Sequence, residues 1–164
     1  MNDLLTERLI LHPLTAAEAE RVAAGVAGPG DNWAPDYPAE GERVGAGMFL
    51  KGRAAAGGDV HPFGGYEIRL RADGRAIGGL GFHGAPDADG AVAIGYGLAE
   101  SARGRGYATE AVRGIVAVAA DWGVTRLLGD TDHDNLPSQR VMLAAGLELT
   151  HEDAELKYYA ISLA

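Results

Sequence analysis

The stretch "AIGYGLAESARGRGYATEAVRGIVAVAADWG", Ala93 to Gly123, constrains the fold more than any other part of the chain. It opens as a strand, passes through a basic glycine-rich loop and continues as a helix from Gly106 to Trp122. Apolar residues recur in that helix at Ala108, Ala111, Ile115, Ala119 and Trp122, in steps of three and four. A short strand, Arg126 to Asp132, follows. Strand, loop, helix and strand in this order make a βαβ unit, whose two strands run parallel.

The chain before this unit has the opposite character. "GYEIRLR" alternates Tyr66, Ile68 and Leu70 against Glu67, Arg69 and Arg71, and "ADGR" supplies an Asp-Gly turn. "AIGGLGFH" and "AVAIGYGLA" follow, joined by "GAPDADG", which completes a three-strand antiparallel meander. The fold class is therefore α+β: a mixed, mostly antiparallel central sheet flanked by helices, with a parallel pair at the meander's last strand. Upstream, "TERLILHPL" reads as a first strand, and "TAAEAERVAAG" as a helix with a Thr15 and Glu18 capping box and Gly25 as its stop. From Val26 to Pro62 a second helix at "AEGERVGAGMFLKG" is expected between irregular loops. Downstream, "NLPSQRVMLAAG" is a helix with Pro137 in its first turn and Gly146 as its stop. Two final strands, "LELTHEDA" and "LKYYAISL", complete the chain, the second an apolar edge that would need covering. No repeat divides the 164 residues, and one domain over 1–164 is expected.

Composition removes several classes of function. With no cysteine, disulfides, thiolate nucleophiles and sulfur-ligated zinc are excluded. A formal net charge of −9 opposes binding to nucleic acid or an anionic membrane and suits a cationic partner. The N-terminus is acidic early and only briefly apolar, which is neither a signal peptide nor a membrane span, so a cytoplasmic location is expected.

The loop's chemistry begins with free backbone donors. The first turn of a helix leaves N–H groups unpaired at the positive end of the peptide dipoles, so a glycine-containing loop there can bind anions. Gly104 and Gly106 allow close approach, and Arg103 and Arg105 add forked cationic donors. A pyrophosphate-like ligand fits; so does an exposed turn with solvated arginines. Neither a G-x-x-x-x-G-K-[ST] loop nor a dinucleotide G-x-G-x-x-G after an N-terminal strand is present. On the preceding strand Val92, Ile94, Tyr96 and Leu98 make a bulky face, while Ala93, Gly95, Gly97 and Ala99 make one of very small residues. Such a face admits either a close ligand or a tightly packed helix.

"AIGYGLAESARGRGYATEAV" resembles the acetyl-CoA signature of the GNAT superfamily of N-acetyltransferases, whose [RQ]-x-x-G-x-[GA] motif falls here on Arg103, Gly106 and Ala108. "DTDHDNLPSQRVMLAAGLEL" is similar to the family's N-x-x-S segment before G-[FL], at Asn135, Ser138, Gly146 and Leu147. "TERLILHPLT" resembles the start of the RimJ/RimL-like branch. The likeness covers both ends and the second half of the chain and is faint between Val26 and Pro62. It implies that acetyl-CoA is the co-substrate and that the loop from Arg103 through Gly104, Arg105, Gly106 and Tyr107 to Ala108 cradles its pyrophosphate. It also implies that pantetheine lies along Val92 to Ala99, pairing near Leu98, with a Leu98 or Ala99 amide facing the oxyanion. A primary amine, on a small molecule or a protein N-terminus, would attack the thioester directly with both substrates bound. A non-catalytic acyl-CoA binding or sensor domain is the alternative. Relatives often dimerise, sometimes through terminal strands, so a homodimer is compatible.

The resemblance also directs the choice of candidates. Ser138, at the family's serine, can donate to the leaving thiolate, or it is an ordinary early-helix serine. Asn135 bonds pantetheine or caps the helix. A related subset carries a tyrosine one turn later, where this chain has Met142. Many relatives carry a glutamate where this chain has Ala93, which leaves Glu67, His83, Asp130 and Asp132 as candidates for the base, with His83 favoured by an imidazole pKa near 6.5. Trp33, Tyr37 and Phe49 either wall the acceptor or form a satellite core. Glu67, Asp87 and Asp89 near strand ends favour a cationic acceptor. "DTDHD" is a tight cluster without a second histidine, so no metal is expected.

Overall fold

The short hairpin that opens the chain and the interrupted strand pairing at its centre determine the shape of the sheet. In the computed structural model, which describes residues 1–163, "TERLILHPL" is not one strand. It is β1 (Leu4–Leu5) and β2 (Leu9–Pro13), antiparallel with Leu4 opposite Leu11. The Thr6 hydroxyl accepts from the Leu9 amide at 3.1 Å and closes the turn, which single-strand alternation does not reveal. Helix α1 (Ala16–Ala24) carries the expected capping box: the Glu18 amide donates to the Thr15 hydroxyl and the Thr15 amide to the Glu18 carboxylate. Helix α2 (Glu40–Ala56) runs farther than expected, ending at Gly57 in the left-handed region.

The meander follows as β3 (Gly65–Leu70), β4 (Ala76–Phe82) and β5 (Ala91–Leu98). Helix α3 (Tyr107–Ala119) is shorter than expected because its last turn, Ala120–Trp122, tightens to a 3₁₀ form before Gly123. Strand β6 (Arg126–Asp132), helix α4 (Leu136–Ala144), β7 (Glu148–Glu152) and β8 (Leu156–Ser162) complete the chain.

The sheet order is β1-β2-β3-β4-β5-β6-β8-β7, antiparallel throughout except for β5 beside β6. This corrects the expectation for "LKYYAISL". β8 is an interior strand between β6 and β7, so its apolar residues are covered. The edge is β7, "ELTHE", exposed along its length and protected by polar side chains.

Cross-strand register separates the two faces. Leu11, Ile68, Gly78 and Leu98 are successive partners across β2 to β5, and a Cβ on Gly114 of α3 would lie 3.4 Å from Leu11 Cδ1, so α3 covers that face. The neighbouring row, Glu67, Gly79 and Gly97, points to the opposite face, where Glu42 of α2 reaches Gly79 and Gly97. Val112 and Ile115 of α3 and Leu127 of β6 are fully buried in the main core. Leu127→Ala leaves a cavity next to the parallel pair and is expected to cost about 2–5 kcal/mol in urea unfolding.

Candidate active site

Strands β5 and β6 pair over only three positions, Ala91 with Arg126, Val92 with Leu127 and Ala93 with Leu128. β6 then continues beside β8 as far as Asp132, while β5 stays with β4 as far as Leu98. The two strands therefore diverge, and among the described residues β5 from Ile94 to Leu98 presents an outer edge with no strand beside it. An extended ligand can add to such an edge through main-chain hydrogen bonds.

At the end of this edge the chain turns through Glu100–Ala102 into the basic loop. Gly104 and Gly106 have φ of 78° and 82°, a region that costs other residues about 1–2 kcal/mol. Among the described residues, the amides of Gly104, Arg105 and Gly106 have no protein acceptor. They lie at and just before the N-terminus of α3, a donor set that fits a pyrophosphate. The loop is anchored from below: Arg8 donates to the Arg105 carbonyl, lies 4.5 Å over the Tyr107 ring and pairs with Glu110 at 2.7 Å. Burial raises the Glu110 carboxyl, but bonds from Thr6 and Arg8 outweigh it and hold it below its ordinary value. The two arginines differ. Arg105 is exposed, whereas Arg103, also exposed, folds back so that its Nε donates to the Leu98 carbonyl at 3.2 Å. Ala99 spends its amide on the Ile77 carbonyl, which leaves the Leu98 region rather than Ala99 to face a ligand carbonyl.

Across the divergence stands α4. Asn135 is its N-cap, its side chain accepting from the Ser138 amide at 3.2 Å. The Ser138 hydroxyl is 2.9 Å from the Tyr96 hydroxyl of β5, and Met142 is buried one turn on. Burial pushes the Tyr96 phenol up, and the Ser138 hydrogen bond opposes that rise in part. Tyr96 thus brings a phenol from the strand to the flank of the cleft where the helix offers only Met142. Sequence reasoning saw Tyr96 only as a bulky residue, because the pairing spans 42 positions.

A second space lies on the opposite face, between α2 and the glycine floor made by Gly79 and Gly81 of β4 and Gly95 and Gly97 of β5. It encloses about 410 Å³. Of the two readings of the small-residue face, the helix is the one observed: α2 crosses it and leaves this space unfilled. Phe49 and Tyr37 line this cavity, but Trp33 does not; it stands behind Tyr37, ring to edge at 5.5 Å. His83 is exposed at the cavity's rim, its Nε2 2.9 Å from where a Cβ on Gly95 would stand. Glu67 does not line the cavity. One of its oxygens accepts from the Tyr37 hydroxyl at 2.8 Å and the other from Arg69 at 2.7 Å, so both are engaged in holding structure. Burial and the neighbouring Glu67 drive the Tyr37 phenol upward, which keeps it neutral. Asp130 and Asp132 are exposed on β6, and the Asp87 side chain accepts the Asp89 and Ala91 amides within its own turn. Among the described residues no His, Asp and Glu group is arranged to hold a metal.

The carboxylate that does enter the cavity is Glu42, which sequence reasoning missed. Glu42 is buried, its Oε1 has no hydrogen-bond partner, and its Oε2 stands 3.6 Å from where a Cβ on Gly97 would be. Burial raises its carboxyl above the ordinary range, opposed by nearby amides of the α2 N-terminus and by Arg103. The available signal was its place as third residue of a helix capped by Ala39. In α1 the glutamate at that place is used by Thr15, whereas Ala39 offers no side chain.

The model of the acetyltransferase (GNAT) domain family matches residues 8–148. A Bacillus subtilis protein named uncharacterized N-acetyltransferase YjdG is 37% identical over 84 residues, which span 51% of this chain and about half, 50%, of that relative. An acetyltransferase from Agrobacterium tumefaciens has a similar structure, with a TM-score of 0.68 and 25% identity over 99% of this chain and 95% of that one. RimL, the ribosomal L7/L12 α-N-protein acetyltransferase solved with coenzyme A, aligns with a TM-score of 0.71 and 16% identity over 99% of this chain and 98% of its own. Gly106→Ala should keep the fold but strain the loop, weakening coenzyme A binding about five- to thirtyfold in calorimetry.

Proposed function

The chain belongs to the GNAT acetyltransferase family, and on that premise we propose that it transfers an acetyl group from acetyl-CoA to a primary amine by direct attack in a ternary complex. The observation that carries this reading is the free edge of β5 ending at a loop of unpaired amides, with the cavity opening behind the same strand. Coenzyme A would lay its pantetheine along Ile94 to Leu98 and its pyrophosphate on Gly104 to Ala108. The thioester would then lie near Leu98, with the amine entering from the glycine face.

The proposed roles of the chain's residues follow from position. The loop amides and Arg105 bind and orient the anion; Arg103 braces the Leu98 carbonyl and so the strand end. The Ser138 and Tyr96 hydroxyls lie on the cleft side of β5, where they can return a proton to the departing thiolate. A thiol pKa of about 8.5 means this help need only be modest. His83 sits at the cavity rim, where it can pass a proton to solvent, and Tyr37 walls the acceptor. The acceptor is an amine on a small molecule or a protein N-terminus; RimL's named substrate is of the second kind.

Thiol release from acetyl-CoA over a panel of amines tests the reading. Turnover is expected, with Tyr96→Phe and Ser138→Ala each lowering kcat by about tenfold, a loss suited to a leaving group that ionises readily. Tight coenzyme binding with no turnover on any amine would instead favour an acyl-CoA binding module.

A further inference from the structure

The cavity between α2 and the glycine floor contains one carboxylate, Glu42, and its other walls are largely apolar. Val22, Val44, Met48 and Phe49 supply apolar side chains, and the backbone of β4 and β5 supplies the floor. A space of about 410 Å³ lies within the roughly 300–1,000 Å³ range of small-ligand sites. The charged groups near Glu42 are Arg103 from the loop and Asp36 from the segment before α2, with the neutral Tyr37 phenol also close. Asp36 is held in place, accepting from the Ser101 amide at 2.8 Å and hydroxyl at 2.6 Å. His83 lines the rim, and among the described residues no aspartate or glutamate besides Glu42 lines the cavity.

Resting on the transfer reading above, we infer that this cavity takes a monoamine on a compact apolar body and that Glu42 is the group that receives the amine's proton. Two observations converge. A buried carboxylate oxygen without a partner is costly unless a ligand completes it, and an alkylammonium would do so. The same carboxylate overlies Gly97, adjacent to Leu98, so an amine bonded to it is already beside the proposed thioester. Gly97 itself puts no side chain between them.

The alkylammonium gives one proton to Glu42, and the neutral nitrogen bonds to the acetyl carbon as the C–S bond breaks. The nitrogen's second proton reaches the leaving sulfur through the Ser138 and Tyr96 hydroxyls. Glu42 returns its proton to solvent past His83. An alkyl amine has a pKa of about 10, so without a base its reactive fraction at pH 7 is about a thousandth, whereas a peptide α-amine, with a pKa of about 8, keeps about a tenth. A second positive charge on the acceptor would find no counter-ion in the apolar walls, which disfavours polyamines and aminoglycosides.

The test uses the full chain and thiol release with phenethylamine, spermidine and a peptide beginning with leucine. The inference expects phenethylamine or the leucyl peptide to exceed spermidine at least tenfold in kcat/KM; which of the two is better identifies the source of the amine. With phenethylamine, Glu42→Gln should lower kcat/KM about a hundredfold or more at pH 7, with the deficit shrinking as pH approaches 10 and the amine deprotonates unaided; with the leucyl peptide the loss should be about tenfold and should shrink by about pH 8. Coenzyme A binding by calorimetry should be unchanged. Stability gives an independent readout. Because the Glu42 carboxyl is raised in the fold, wild type loses stability as pH rises from its ordinary 4.5 through the raised value, and Glu42→Gln removes that loss. Its melting temperature should therefore exceed wild type at pH 8 by more than at pH 4. Spermidine preferred over both apolar amines would overturn the pocket assignment while the transfer reading stands. Full activity with an unaltered pH profile in Glu42→Gln would remove Glu42 from the reaction. No thiol release by wild type on any amine would sink the transfer reading and this inference with it.

Discussion

The parting of β5 from β6 after Ala93 is the constraint on which the rest of the site depends. Had the pairing continued to Leu98, every backbone group of β5 would be satisfied by protein and no ligand could be added to it. Because it stops, five residues of strand retain an open edge inside an otherwise continuous eight-stranded sheet. An open edge is ordinarily a liability, but this one has α4 beside it, joined to the strand through Tyr96 and Ser138. The Tyr96 and Ser138 contact spans that gap and fixes how far α4 stands from the strand.

The two walls of the site are tied together by contacts remote in sequence. Asp36, before α2, holds the Ser101 amide and hydroxyl at the start of the basic loop. Its neighbour Tyr37 ends a polar chain that runs through Glu67, Arg69 and Glu18 to His12, crossing from the loop to β2. The fully buried members of such a chain are paired, as low dielectric demands. Glu42 lies among these groups, yet one of its oxygens has no partner. The contrast with Glu67 matters: one buried carboxylate has both oxygens hydrogen-bonded and organises the fold, while the other lines a cavity and keeps one oxygen without a hydrogen-bond partner.

Much of this architecture was legible because its causes are local. The Thr15 and Glu18 box, the Asp73-Gly74 turn, the βαβ unit and the glycines of the loop each announce themselves within a few residues, and the family resemblance added the identity of the ligand those glycines suit. What was not legible depends on distant partners. Strand order is decided by pairing, so β8 could be taken for an edge when β7 covers it. Glu67 looked available until Tyr37 and Arg69 claimed its oxygens. Glu42 gave only a faint signal, a glutamate at the third helical position without a hydroxyl cap, and that signal exists only once the start of α2 is known.

The alternation of a strand gives the site its division of labour. Gly97 faces α2, while Tyr96 and Leu98 face α3 and α4, so β5 separates the Glu42 carboxylate from the Tyr96 and Ser138 hydroxyls. In the proposed reaction one side must accept a proton and the other must return one. If the two groups touched, they would hydrogen-bond to each other and leave neither free. With a backbone between them, burial acts on each alone, raising both the carboxyl and the phenol. The reacting carbon would lie at the strand's edge near Leu98, where both faces can be reached.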